Sequence, residues 1–161
     1  MDEMPDWMKR AKERTEQLEA RADHVATERL IAQAKVESDG PAFWEELTKN
    51  LGSQLRFLPD AFGLEGSANI IPSGSESLCR VDVKFRGAEP RSAYIDLFYR
   101  PFGSVIRYHP QFGSDFDAPL VFANEKLMLL WGGVFYDPEE AATQFVQGLV
   151  RTVKPDAVTK V

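Results

Sequence analysis

The sequence predicts an α+β domain: an antiparallel β-meander sheet with helices packed on one face, preceded by a long charged N-terminal helix. Three observations predict it. Residues 6–37 contain neither glycine nor proline, Cys79 to Arg86 alternates apolar and charged residues at every step, and Asp137-Pro138 opens a run of apolar residues at helical spacing.

The opening segment is rich in Ala, Glu, Arg, Lys and Gln, all strong helix formers. Asp6, just after Pro5, stands where it can cap the start. Met8, Ala11, Thr15, Leu18, Ala22, Val25, Arg29, Ala32 and Val36 follow the 3.5-residue spacing of a coiled-coil seam. Thr15 and Arg29 make that seam weak, and the helix is too polar to sit inside a globular core. A solvated helix of about thirty residues needs tertiary support to persist. Such a helix either lies across its own domain or pairs with another, and pairing is the favoured role: a homo-oligomer contact or a grip on a protein partner, with Trp7, Leu18 and Val25 as contact residues.

Ser38-Asp39-Gly40-Pro41 is the main shift in composition. It divides the chain into a helical arm over residues 1–38, a globular domain over 39–154 and a tail over 155–161. A second helix is expected to open at Asp39-Gly40-Pro41, with proline in its first turn where the missing N–H costs nothing. Phe43, Trp44, Leu47, Leu51 and Leu55 then give it a buried stripe.

Beyond residue 68 the period changes to two. A short edge strand near Asn69–Ile71, strands from Cys79 to Arg86 and Ala93 to Arg100, and a third from Ser104 to His109 read as a meander. Residues 113–119 read as a loop, and Leu120–Ala123 with Lys126–Trp131 as a hairpin turning at Asn124-Glu125. Gly132-Gly133 reads as a strand break or bulge. In the last helix Asp137 is the N-cap, Pro138 the first helical position and Glu140 the third residue after the cap. Phe145, Val146, Leu149 and Val153 are its core stripe, backed by Ala142.

Composition excludes several classes. With 43% hydrophobic and 27% charged residues, 161 residues are enough for one core without a disulfide or metal staple. The single cysteine, Cys79, lies in step with Val81, Val83 and Phe85 and reads as a buried, inert thiol. The acidic start MDEMPDWMKR does not resemble a secretory signal, and the longest apolar run, Leu127–Tyr136, is half a membrane span. These point to the cytoplasm and to no membrane. A net charge of −6 disfavours nucleic acid and anionic lipid as partners.

Two places could carry chemistry. If Val81, Val83, Phe85, Ile95, Leu97, Tyr99, Ile106 and Tyr108 face the core, the pleat sends Arg80, Asp82, Lys84, Arg86, Tyr94, Asp96, Phe98, Arg100, Val105, Arg107 and His109 to the other face. Residues 78–109 carry a net +3 within this acidic chain. Arg80, Lys84, Tyr94, Phe98, Arg100, Arg107 and His109 could thus bind a small anion, an acidic peptide or nucleic acid by stacking and charge. The competing expectation is a solvated face with cross-strand Arg–Asp pairs. The second place is His109-Pro110-Gln111-Phe112-Gly113-Ser114-Asp115-Phe116-Asp117, where His109, Asp115 and Asp117 suggest a hydrolase-like or metal site. With only two histidines, no nucleophile elbow and no calcium-loop spacing, no catalytic residue, metal or cofactor is assigned. The leading expectation is a non-catalytic protein-interaction domain.

Overall fold

The computed structural model describes residues 3–157, the side chain of Ser73 and the burial of Ala157 excepted. The expected tail over 155–161 is seen only as a 3-10 turn, Pro155–Ala157, and its remainder lies outside the described residues. The chain falls into two compact units that divide between Lys35 and Val36. Helix α1 spans Asp6–Leu55 and is followed by the single turn α2, Leu58–Phe62. Seven strands come next: β1 (Glu65–Ser73), β2 (Glu76–Phe85), β3 (Arg91–Tyr99), β4 (Val105–Pro110), β5 (Phe116–Ala123), β6 (Lys126–Trp131) and β7 (Val134–Tyr136). Helix α3, Pro138–Val153, closes the chain. Every strand pairs antiparallel with its sequence neighbour, so spatial order equals chain order. The architecture is α+β with a meander sheet.

In the second unit the pleat behaves as the alternation requires. Val81, Val83, Ile95, Leu97, Tyr99 and Ile106 are buried, with Phe85 and Tyr108 packed at the margin of the same core. They meet Phe43, Trp44, Leu47, Leu51 and Leu55 from α1 and Phe145, Val146, Leu149 and Val153 from α3. Trp44 stacks on Tyr99 with ring centres 5.4 Å apart, and Trp131 stacks on Phe145 at 4.9 Å. Asp137 caps α3 by accepting the Glu140 N–H at 2.8 Å. Gln54 Nε2 of α1 donates to Thr143 Oγ1 of α3 at 3.0 Å, tying the two helices together above the sheet.

Four local expectations are corrected. Helix α1 does not restart at Asp39; it runs through Gly40 and Pro41 without a break. Proline usually kinks or ends a helix, because it lacks an N–H and crowds the preceding turn. Here packing overrides that preference. Gly40 is buried, and a Cβ added there would collide with Tyr99 Oη and come within 3.0 Å of the Gly103 carbonyl oxygen. The short edge strand is in fact nine residues long, since β1 matches β2 residue for residue from Glu65–Lys84 to Ser73–Glu76. Asp117 and Pro119 belong to β5 and not to a loop. Gly132-Gly133 is the two-residue turn of the β6–β7 hairpin, with φ of 59° and 77°. Positive φ at both central residues is the primed-turn geometry that matches strand twist, and glycine adopts it freely. Asn124 and Glu125, the expected turn between β5 and β6, share that geometry at 52° and 64°.

The Gly40 contact gives a direct test. Tyr99 is buried, stacked on Trp44 and hydrogen-bonded through its hydroxyl to the Gly103 carbonyl at 3.3 Å, so it cannot step aside. Gly40→Ala should cost about 2 kcal/mol of stability in urea unfolding. In a Tyr99→Phe background the same substitution should cost distinctly less, because the colliding oxygen is gone; strict additivity would contradict this packing.

Candidate interaction surfaces

The face of the sheet turned away from the core carries the predicted basic and aromatic residues. Arg80 stands between Asn69 and Asp96 in register, and His109 follows Asp96 on β4. Phe98, Arg107 and Asp117 form a second row, and Asp82 with Tyr94 a third. The Arg80 guanidinium grips Asp96 with two parallel bonds of 2.8 Å and lies 4.5 Å above the Tyr94 ring centre. Such a fork is the strongest geometry open to this pair. It leaves the Asp96 side chain only 6% exposed on an otherwise wet face and raises the Arg80 pKa further, through the hydrogen bond and charge of Asp96.

The remaining arginines are matched in the same way. Arg107 meets Asp117 at 3.0 Å, Arg100 meets Glu76 at 2.7 Å, Arg86 meets Glu65 at 3.2 Å and Arg91 meets Glu89 at 3.6 Å. The local +3 of residues 78–109 is therefore offset by Glu65, Glu76 and Asp117, which neighbouring strands supply from outside that window. A hollow of about 160 Å³ lined by Phe98, Val105, Arg100 and Arg107 includes Glu76 and Asp117 in its wall. Cross-strand pairing, one of the two expectations for this face, is what the geometry displays. Lys84 lies on the same face, next to Arg86 and Ser92 in a shallow depression.

The structure joins His109 to Asp115, with Nδ1 facing Oδ1 in hydrogen-bonding contact. Asp117 pairs with Arg107, its partner in register, whose guanidinium also feels the charge of Asp115. Among the described residues no cluster of three or more His, Cys, Asp or Glu side chains could hold a metal ion. Cys79 is fully buried beside Val81, and desolvation lifts its thiol from the ordinary value to about 11.

Sequence reasoning placed Val105 on this outer face but missed the apolar strip that continues from it across β5, β6 and β7. Val105 opposes Pro119, Val121 opposes Met128 and Leu130 opposes Phe135; Val105 and Phe135 are exposed and the others half-buried. The signal was present: alternation fails in Pro119–Ala123 and Lys126–Trp131, and a run that is apolar at every position has apolar side chains on both faces.

In the first unit, residues 6–35 belong to α1, and every residue from 3 to 35 is exposed. Trp7, Leu18 and Val25 are exposed by 65%, 58% and 45%, and Leu30 and Ile31 by still more than half. His24 pairs with Glu28 one turn on, at 3.1 Å.

Two outcomes follow from this geometry. Asp96→Ala should lower stability by about 1–2 kcal/mol, since it strips a fork from an arginine that can only partly rehydrate, whereas Asp117→Ala at the exposed pair should leave the urea midpoint unchanged. Burial of Cys79, and of Tyr99 and Tyr108, whose hydroxyl pKa values are also raised by desolvation, fixes an alkaline dependence. The unfolded chain loses these protons first, so stability holds below pH 9 and declines as pH rises from 9 toward 11, by at most about 1.4 kcal/mol per pH unit per proton. Cys79→Ala should flatten part of that slope, and the native thiol should resist alkylation at neutral pH.

Comparison of the chain with protein-family models, curated proteins and solved structures gives no match.

Proposed function

We propose that the chain is a non-catalytic protein-interaction module whose N-terminal helix is the gripping element. One observation carries this reading: some thirty consecutive helical residues leave Trp7, Met8, Leu18, Val25, Leu30 and Ile31 in water. A solvated helix of that length is marginal, and most helical stability in proteins comes from burying one face. The exposed seam supplies such a face to another chain. The matched arginines of the sheet favour this reading over an anion- or nucleic-acid-binding one, because a guanidinium committed to a carboxylate has little charge left for a phosphate. The single buried thiol suits a reducing compartment, which supports the cytoplasm as its place of action.

The test is amide hydrogen exchange on the full chain across a dilution series, with sedimentation velocity run in parallel. Amides of residues 6–35 should be protected where the arm is engaged and exchange rapidly where it is free. Leu18→Asp combined with Val25→Asp should abolish the protection and leave the urea midpoint of residues 36–157 unaltered, since both side chains are exposed. A monodisperse monomer that protects those amides at every concentration would defeat the reading, because the arm would then need no companion.

A further inference from the structure

The second unit contains a groove of a size that receives a large side chain or a turn of helix. It occupies about 520 Å³ between α1, the β5–β6 turn and the start of α3. Its apolar lining includes Phe43 and Leu127. Asp39 and Glu46 stand along α1, and Asp137 and Glu139 along the mouth of α3, against a single lining cation, Lys126. The groove is thus apolar in part and carries a net charge of −3 around its rim.

The chain contains a segment of matching chemistry. Lys9, Arg10, Lys12 and Arg14 crowd into six residues with only Glu13 among them, a net +3. Trp7, Arg10, Ala11 and Arg14 recur at i, i+3, i+4 and i+7, which places an aromatic ring and two guanidiniums on one helical face. All four are exposed. The arrangement is unfavourable for the helix alone. Cations in the opening turns oppose the helix dipole, and Arg10 and Arg14 are like charges one turn apart. Nearby carboxylates would offset both penalties.

We propose that this groove receives the basic opening of α1 from a second copy of the chain, Trp7 entering over Phe43 and Leu127 while Arg10 and Arg14 lie among the carboxylates. The inference rests on the reading of the arm as the gripping element and names its partner. The exchange is reciprocal: each copy offers one arm and one groove, so two copies satisfy both in a closed dimer. An apolar anchor ringed by complementary charge is also the usual anatomy of a helix seated in a groove.

Sedimentation velocity on the full chain tests it. The parent should sediment as a dimer that loosens between about 50 mM and about 500 mM salt, as charge pairing at a partly exposed rim demands. Arg10→Glu with Arg14→Glu should weaken dimerisation about tenfold or more, and so should Glu46→Arg with Glu139→Arg. An equimolar mixture of these two variants should recover the dimer, because the reversed arm of one fits the reversed groove of the other. Only contact between copies gives that recovery. Glu139 lies in the first turn of α3, so Glu46→Arg alone, at an exposed mid-helix site, serves as a second groove variant, and each variant's urea midpoint is checked against the parent. A monomeric parent overturns the proposal, including one whose groove takes up a separate basic peptide or spermine. Failure of the mixture to recover overturns it as well. If the charge reversals leave a dimer that Leu18→Asp with Val25→Asp dissolves, the groove assignment falls and the gripping arm survives.

Discussion

The pleat of β2, β3 and β4 is the constraint from which the second unit follows. Val81, Leu97 and Ile106 can meet Leu47, Leu51 and Leu149 only if the residues between them face the other way. That obliges Arg80, Asp96, Arg107 and Asp117 to share the opposite surface, where the chain pairs them across strands. The core thus dictates the electrostatics of the exterior. Each of those charges sits within reach of its opposite because register, fixed by the buried side, sets the two side by side.

An arginine-rich stretch of chain is therefore not by itself an arginine-rich face. Charge counted along residues 78–109 is a property of the chain, whereas a phosphate would meet a property of the face. Glu65, Glu76 and Asp117 enter that face from β1, β2 and β5, partly beyond the window in which the cations cluster. Asp96 goes further: a carboxylate almost removed from water, held by both nitrogens of one guanidinium, acts as a joint between β2 and β3 and not as a ligand. Exposed apolar side chains are found among residues 3–35, and an acid-rimmed groove lies beside Phe43.

Much of this was legible in the sequence, and the parts that were not share a cause. The alternation of Cys79–Arg86, the Asp137 cap and the stripes of α1 and α3 are local patterns, and they translate directly into buried and exposed faces. Gly40-Pro41 is also a local pattern, and it misleads: two helix-breaking residues sit inside a continuous helix because Gly40 must pass under Tyr99, sixty positions away in the chain. The partner of Arg107 could be read only once β5 was seen to begin at Phe116. The groove could not be read at all, since its wall is assembled from three segments spread over a hundred residues.

The strictly sequential order of the seven strands also bears on how the molecule acquires its shape. Each hairpin joins neighbours through a short connection, two residues long at Gly74-Ser75 register ends, at Asn124-Glu125 and at Gly132-Gly133, so little chain entropy is spent in zipping the sheet. Topologies built from near neighbours fold quickly for their size. The distant closures are those that bring α1 and α3 together on the inner face, where Gln54 reaches Thr143 across 89 positions. A nascent chain can therefore assemble its meander strand by strand over the apolar stripe of α1, but the part of the greasy side that Phe145, Val146 and Leu149 cover stays open until α3 arrives to roof it. During that interval the early half of the protein most needs protection from its neighbours.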